Sequence, residues 1–399
     1  MKVALVNNQL QLGGAETVMD QLHRGLLKEG HESRIYVAEG KTYPVDVVPL
    51  YPRLLSRLDQ SRLHPLMARL FPRYSWTDQS FRKLAESDAN ILHLHNFHGN
   101  YASIRSLAHV AAGKKVVWTF HALWGVTGGC DHPRDCQRYQ EKCGACPQVG
   151  QWPVGAVDHT AEQLQEKLAR LSGLPLQIVA PSRWLAEIVR GSQVGRGWKI
   201  DVIPNGVEPG QFARKAERSS EHMTILVVNR DFADKQKGYG MVREALSMIA
   251  PAGKRIVLAG GNSGPAVAEL SGRFECLDAG YVRDRDALAK LYAEADIFLF
   301  ASPAENFSCA ILEAMASECC VVATPTGGVV EQIEHGHSGL LARDISGESL
   351  GDALITAVGY GELRRQLGKG ARERVIENFT EARMVRSYFD LYREVLDER

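Results

Sequence analysis

This sequence of 399 residues lacks long apolar runs and a net charge. Because no run of about 18 apolar residues occurs, we expect no transmembrane helix. Lysine plus arginine and aspartate plus glutamate number 47 each, so no overall positive field attracts nucleic acid. The short apolar start, Met1 to Val6, continues into Asn7-Asn8-Gln9, which predicts a first strand and a cytoplasmic protein rather than a secretion signal.

The glycine-rich turns lack the features of two large nucleotide-binding classes. The turn Gly260-Gly261-Asn262-Ser263-Gly264 lacks the Lys-Ser/Thr ending of a P-loop, and no G-x-G-x-x-G follows the predicted strands. ATPase and dinucleotide-binding functions are therefore not favoured. Short apolar segments alternate with helical patterns throughout the chain, which predicts parallel, doubly wound α/β sheets.

The segment from Ile297 to Ala316 is the most informative stretch of the chain. Its first four residues form a buried apolar strand, and Ser308 suits the N-cap of the helix that follows. Glu305 lies between the strand and the helix, and Glu313 lies within the helix. We expect the backbone N–H groups of residues 306–309 to bind phosphate, with the carboxylates binding hydroxyl groups on either side. A phosphate with hydroxyl groups at both ends describes a sugar nucleotide.

Glu305 and Glu313, with seven residues between them, and the run LEAMA resemble the E-x7-E motif of the retaining family-4 glycosyltransferases. The resemblance covers nearly the whole chain and implies the GT-B fold. In that fold two Rossmann-like α/β domains face a central cleft, and the C-terminal helix crosses back to the first domain. The implied reaction moves a sugar from a UDP- or GDP-linked donor to a sugar or lipid-linked hydroxyl acceptor, with no metal needed for the chemistry.

Residues of the first domain can be matched to this family. Gly13 and Gly14 match a glycine loop that reaches the donor diphosphate, and Asn205 lies in a P-N-G-V motif that closes the domain. His121 matches the T-x-H position that faces the donor sugar, but Ala122 stands where the family often has Asp. This departure weakens any mechanism that needs an acid at that position.

In the second domain, Arg230 and Lys237 match two cations that contact the donor diphosphate, although Lys235 in the same loop is an alternative partner. Fixed cations would stabilise charge that grows on a leaving diphosphate. The predicted catalytic residues are His121, Arg230, Lys237 and Glu305. The predicted donor-binding residues are Gly13, Gly14, Asn205, Arg230, Lys237, Asn306, Phe307, Ser308 and Glu313.

The same motifs predict the domain boundaries. We expect an acceptor-binding domain over 1–207, which includes a cysteine-containing loop over 124–150, and a polar linker over 208–222. A nucleotide-sugar-binding domain over 223–378 follows, and the returning C-terminal helix covers 379–399.

Four of the eight cysteines cluster in the 124–150 loop with the spacing C-x5-C-x6-C-x2-C. They are Cys130, Cys136, Cys143 and Cys146. Four thiolates can close a tetrahedron around one zinc ion, so the spacing predicts a structural zinc site. Two disulfides, four free thiols, an iron–sulfur cluster and a site in which His132 replaces one cysteine are the alternatives.

The stretch 51–76 contains five arginines against one aspartate, with leucines interleaved. It predicts either a basic amphipathic segment at the inner face of a membrane or a helical cover over the first domain. Two alternatives to transfer are a UDP-sugar epimerase of the same fold and a non-catalytic scaffold that binds sugar nucleotides.

Overall fold

A computed structural model of the protein describes residues 1–10, 13–39, 47–50, 74–98, 101–213, 222–234 and 237–398. Contacts between Cα atoms divide the chain into two compact units. One unit is Met1–Ile203 with Val385–Arg399, and the other is Pro204–Met384. Most of the basic stretch 51–76, the linker residues 214–221 and the alternative cation Lys235 lie outside the described residues.

The first unit contains a parallel sheet of seven strands in the order β3-β2-β1-β4-β5-β6-β7. The strands are β1 (Lys2–Gln9), β2 (Glu32–Glu39), β3 (Val47–Pro49), β4 (Ile91–Leu94), β5 (Lys115–Thr119), β6 (Leu176–Ala180) and β7 (Lys199–Val202). The α-helices described within this unit are α1 (Gly14–Lys28), α2 (Tyr74–Glu86), α3 (Ile104–Ala111), α4 (Thr160–Leu171) and α5 (Arg183–Gly191).

The second unit contains a parallel sheet of six strands in the order β10-β9-β8-β11-β12-β13. The strands are β8 (Met223–Asp231), β9 (Lys254–Gly261), β10 (Glu275–Gly280), β11 (Ile297–Phe300), β12 (Cys320–Ala323) and β13 (Leu340–Leu341). Its described helices are α6 (Tyr239–Ser247), α7 (Gly264–Leu270), α8 (Arg285–Glu294), α9 (Cys309–Ala316), α10 (Val329–Gln332), α11 (Gly347–Gly359) and α12 (Gly361–Asn378). The last helix of the chain is α13 (Glu381–Asp397).

Strand β11 shows why the second sheet is buried on both faces. Phe298 and Phe300 pack into one apolar cluster, while Ile297 and Leu299 pack into another. Successive side chains of a strand point to opposite faces, so a strand without polar alternation needs helices on both sides. The predicted architecture of two parallel, doubly wound α/β sheets is confirmed.

Both sheets reverse their strand order at one point, between β1 and β4 in the first and between β8 and β11 in the second. In open α/β sheets, ligands bind beyond the carboxyl ends of strands at such a reversal. The loops that follow these four strands are therefore the places in which to search for a site.

The C-terminal helix α13 supplies the first unit with its last segment, from Val385 onward. A Cβ atom built at Gly25 of α1 would lie 2.6 Å from the side chain of Val385, so the two helices approach closely. The predicted return of this helix to the first domain is confirmed. The contact boundary falls after Ile203, and Val207 of the P-N-G-V motif pairs with Thr380 inside the second unit.

Helices long and apolar enough to cross a membrane are absent from the part of the chain that the structure describes.

At Gly238, the loop after β8 approaches the end of β11 closely. Its φ is +75°, and a Cβ atom there would lie 2.3 Å from the carbonyl oxygen of Ala301. Gly238→Ala should therefore lower the free energy of unfolding by about 1–3 kcal/mol or more, because left-handed strain and a backbone clash coincide.

Gly240→Ala is the matched control, because nothing lies within 4 Å of a Cβ atom built at Gly240. This variant should be neutral or slightly more stable than the natural chain. Equal effects of the two substitutions in chemical denaturation would contradict the close approach.

Candidate active site

Lys237 and Glu305 follow the two strands that flank the reversal in the second sheet, β8 and β11. Asn229 Nδ2 donates to the carbonyl oxygen of Lys237 at 3.0 Å, which holds the loop after β8. Burial raises the pKa of the partly buried Glu305, and the positive charge of Lys237 opposes this rise. A cation and a carboxyl group thus lie near each other at one edge of the sheet.

The loop between Glu305 and α9 is held by side chains from elsewhere in the second unit. Gln332 accepts from the Ser308 N–H at 2.9 Å and donates to the Ser308 carbonyl at 2.8 Å. Asn205 Nδ2 donates to the carbonyl oxygen of Phe307 at 2.8 Å. These three hydrogen bonds hold the backbone of the loop in the absence of a ligand.

The same contacts correct part of the expected phosphate site. The N–H group of Asn306 donates to the Glu305 carboxylate at 3.2 Å, and that of Ser308 donates to Gln332. These two N–H groups already have acceptors, contrary to the expectation of four unpaired donors. Ser308 occupies the N-cap position of α9, but its side chain makes no capping hydrogen bond. Gln332, which is distant in sequence, could not be identified from the local pattern.

Glu313 lies on α9 with only 6% of its surface exposed. Burial raises the pKa of its carboxyl group to about 7, although Arg285 and the Tyr292 hydroxyl favour the ionised form. Arg285 Nη2 donates to Glu313 Oε1 at 3.4 Å. A buried carboxyl group whose pKa lies near neutral pH is a candidate to accept hydrogen bonds from a ligand.

Arg285 is a site residue that the sequence analysis missed. Its Nε donates to Gln211 Oε1 at 3.3 Å, and its guanidinium lies 5.3 Å from the centre of the Phe212 ring. It lies in a D-x-D triplet, Asp284-Arg285-Asp286. The Asp284 carboxylate accepts from two backbone N–H groups at the start of α8 and therefore caps this helix.

Arg230, the second predicted cation, is exposed near the end of β8. The strand extends to Asp231, so Arg230 lies within it. Pairing with β9 is irregular between Val228 and Asp231. The exposed guanidinium remains accessible to an anion.

In the first unit, the loops after β1 and β4 lie at the reversal, and His121 follows the next strand, β5. Gly13 and Gly14 are exposed at the start of α1. His95 Nδ1 and His121 Nε2 are 3.0 Å apart, and burial lowers the pKa of His121 to about 4. His121 is therefore a neutral imidazole at physiological pH.

A hydrogen-bonded network beneath these rings was not predicted. His93 Nδ1 lies 2.6 Å from the Tyr392 hydroxyl, and His93 Nε2 lies 2.8 Å from Thr119 Oγ1. Thr119 Oγ1 in turn lies 2.8 Å from the Tyr388 hydroxyl. The spacing carried a signal, because His93 precedes His95 by two residues and Tyr388 precedes Tyr392 by four.

The four clustered cysteines line one small cavity of about 20 Å³, and all of them are free thiols. Burial, with smaller contributions from the other three thiols, raises the pKa of the Cys130 thiol to about 12. Beneath the loop, the buried Lys167 Nζ donates to the carbonyl oxygens of Trp124, at 2.5 Å, and Thr127, at 2.8 Å. These contacts anchor the start of the loop to α4.

The zinc prediction requires thiols that converge on one point. Among the described residues, no group of three or more His, Cys, Asp or Glu side chains is placed to hold a metal ion. The zinc site therefore remains a prediction from the spacing alone. Metal analysis of protein purified under reducing conditions tests it, since the spacing predicts one zinc per chain. Protein that folds and carries no zinc would contradict the prediction.

The two parallel sheets, their strand orders and the returning helix fit the GT-B fold. Residues 12–211 match Glycosyltransferase Family 4, and residues 222–359 match Glycosyl transferases group 1. The chain belongs to glycosyltransferase family 4 and is an enzyme of that class.

Two curated relatives illustrate the range of this similarity. The colanic acid biosynthesis glycosyl transferase WcaC from Escherichia coli K12 is 24% identical over 360 residues, covering 84% of this chain and 85% of that protein. The N-acetyl-alpha-D-glucosaminyl L-malate synthase from Bacillus anthracis is 29% identical over 184 residues, covering 44% of this chain and 47% of that protein.

Solved structures share the fold at lower identity. Sucrose-phosphate synthase from Thermosynechococcus elongatus aligns with a TM-score of 0.76 and 19% identity, covering 100% of both chains. HepE from Anabaena, solved in complex with UDP-glucose, aligns with a TM-score of 0.69 and 16% identity, covering 99% of this chain and 100% of that chain.

The raised pKa of Glu313 predicts a stability cost at neutral and higher pH. The pKa is about 7 in the folded protein against 4.5 for an unperturbed glutamate, so only the unfolded state is ionised between these values. The free energy of unfolding should therefore fall as the pH rises from about 4.5 to 7, by up to about 3 kcal/mol from this group.

Glu313→Gln should remove this fall. The free energy of unfolding of the variant should therefore rise relative to that of the natural chain as the pH increases from 5 to 8. Glu373→Gln, at an exposed position of α12, is the control and should follow the natural chain at both values. Chemical denaturation at the two pH values measures the difference. Parallel curves for the natural chain and Glu313→Gln would show that Glu313 is ionised as readily as an exposed glutamate.

Proposed function

We propose that this glycosyltransferase moves a sugar from a nucleoside diphosphate sugar, UDP- or GDP-linked, to a hydroxyl acceptor with retention of configuration. The observation that carries the proposal is the arrangement after β8 and β11. There the positive charge of Lys237 lies close enough to Glu305 to favour its ionised form. Further along the same chain segment, the buried Glu313 lies beside Arg285. Cations suit a diphosphate, and carboxylates suit the hydroxyl groups of a ribose and a hexose.

Each residue then has a separate task. Glu313 accepts hydrogen bonds from the ribose hydroxyls, and Glu305 accepts from hydroxyls of the donor sugar. Arg230 and Lys237 neutralise the diphosphate, whose charge grows as its bond to the sugar breaks. Asn205 holds the Phe307 carbonyl, so its contribution to donor binding is to fix the loop.

In the proposed step, the bond between the anomeric carbon and the diphosphate oxygen breaks and a bond to the acceptor oxygen forms. The acceptor approaches from the face that the diphosphate leaves, which retains the configuration. An oxygen of the leaving diphosphate takes the acceptor proton, so the step needs no side-chain base. His121, in the first unit, is assigned to the donor sugar by its T-x-H motif.

Relatives support a nucleotide sugar and a polysaccharide product. HepE structures contain UDP and UDP-glucose. The names of WcaC and of AmsK, which is 27% identical over 176 residues, place those proteins in colanic acid and amylovoran biosynthesis. We therefore propose an acceptor in cell-surface polysaccharide or glycolipid synthesis. Contact with the inner face of a membrane through 51–76 belongs to the same proposal, although most of that stretch lies outside the described residues.

Glu313→Gln should weaken nucleotide-sugar binding by about 1–3 kcal/mol, the cost of losing a charged partner for ligand hydroxyls. Arg230→Ala should mainly lower kcat, because the charge it meets grows in the transition state. Thermal-shift screening of UDP- and GDP-sugars identifies the donor, and NMR of the product gives its anomeric configuration.

Arg243→Ala is the control, since Arg243 is an exposed arginine of α6 that pairs with Glu269. Its kcat and donor affinity should stay at the natural values. Natural kinetics in both site variants would contradict the residue assignment. Interconversion of the sugar nucleotide without transfer would instead identify an epimerase.

A further inference from the structure

Three imidazole rings form a column at the carboxyl end of the first sheet. The ring centres of His93 and His95 are 4.3 Å apart, and those of His95 and His121 are 5.3 Å apart with 20° between their planes. His95 is completely buried, whereas His121 is partly exposed. His95 therefore lies between the interior of the unit and the ring that reaches the surface.

The contact between His95 and His121 can be made by two arrangements of protons. His95 Nδ1 and His121 Nε2 are 3.0 Å apart, so one nitrogen donates and the other accepts. Burial lowers the pKa of both rings, so each neutral ring carries a single proton. The choice of donor therefore fixes the tautomer of both histidines.

The second nitrogen of His95 distinguishes the two arrangements. His95 Nε2 is buried and has no hydrogen-bond partner among the described residues. If His121 donated, the His95 proton would have to lie on Nε2, as a buried N–H group without an acceptor. If His95 Nδ1 donates, its Nε2 keeps only a lone pair. Orphaned N–H groups are rarer in protein interiors than unsatisfied acceptors, so the second arrangement is favoured.

A neighbouring strand supplies an independent reason. Val6 of β1 pairs with Leu94 of β4, which places Asn7 level with His95 on the same side of the sheet. Asn7 Oδ1 accepts from the Asn8 N–H at 2.8 Å, and this contact sets the orientation of the amide. Asn7 Nδ2 is then a buried donor that lacks a partner in the described part of the chain. Asn7 Nδ2 and His95 Nε2 make no hydrogen bond with each other, but the amide in this orientation presents a donor rather than an acceptor at this level of the sheet.

We infer that His95 is a positioning residue whose Nδ1–H donates to His121 Nε2 and so fixes His121 as the Nδ1-protonated tautomer. His121 then offers a neutral N–H donor to the hydroxyl groups of a sugar. A neutral donor orients the sugar without adding positive charge beside an anomeric carbon that becomes electron-poor. The inference depends on the proposed role of His121 toward the donor sugar.

The C-terminal helix supports the base of the column. Tyr392 holds one nitrogen of His93 and Thr119 holds the other, and Tyr388 holds Thr119. Thr119 precedes His121 by two residues on the same strand segment, and His93 precedes His95 in the same way. Helix α13 therefore contacts the two residues that lie two positions before His95 and His121.

Long-range ¹H–¹⁵N NMR of the full-length protein labelled at histidine tests the tautomers directly, without measuring activity. We expect Nδ1-protonated signals for both His95 and His121, assigned with His95→Phe and His121→Phe. Nε2-protonated signals for the two residues would overturn the inference, whatever reaction the enzyme catalyses. The result therefore stands apart from the proposed function.

A second test measures the hydrolysis of UDP-glucose. His95→Phe keeps a ring but removes the donor. It should lower kcat by about 10- to 100-fold with little change in KM, the range found for groups that orient metal-binding imidazoles. His95→Asn places an N–H group near the position of Nδ1 and should recover most of the activity.

His98→Phe is the control, because His98 is another buried histidine, only 8% exposed, whose ring contacts Tyr101 and Trp152. It should retain the natural kcat. Thermal unfolding of each variant separates a loss of positioning from a loss of folding. Equal activity of His95→Phe and His95→Asn at equal stability would contradict a role for the donated hydrogen bond.

Discussion

The burial of Glu313 beside Arg285 is the interaction on which the second unit's site depends. A carboxyl group with 6% exposure loses hydration, and an arginine at 3.4 Å restores only part of that loss. The pKa of about 7 reflects this uncompensated loss of hydration in the protein without ligand. Ligand hydroxyl groups that donate hydrogen bonds to the carboxylate would replace the lost hydration. This gain would contribute to the free energy of ligand binding.

Both units bury titratable side chains, but they stabilise them in different ways. In the second, Glu313 and Glu305 remain ionisable because cations lie close to them. In the first, the histidine column is kept neutral by burial, and its hydrogen bonds lead to hydroxyl groups on α13. Both arrangements lie next to a reversal of strand order, the place where ligands bind in open α/β sheets.

Local patterns predicted the features that depend on nearby residues. The apolar strand at Ile297–Phe300, the helix that carries Glu313 and the parallel α/β architecture are all present. Contacts between distant residues left no local pattern. Gln332 uses an N–H group expected to be free, and Tyr392 reaches His93 across 299 positions. The cysteine spacing indicated zinc, whereas the placement of the thiols depends on how the loop packs against α4.

Proton release during binding of UDP-glucose tests the central claim most directly. Isothermal titration calorimetry in buffers of different ionisation enthalpy gives the number of protons released. If the ligand completes the Glu313 site, binding should release protons near pH 6.5, and this release should vanish near pH 8.5 and in Glu313→Gln. Binding with no proton release near pH 6.5, or with the same release in Glu313→Gln, would contradict the claim that Glu313 receives the nucleotide sugar.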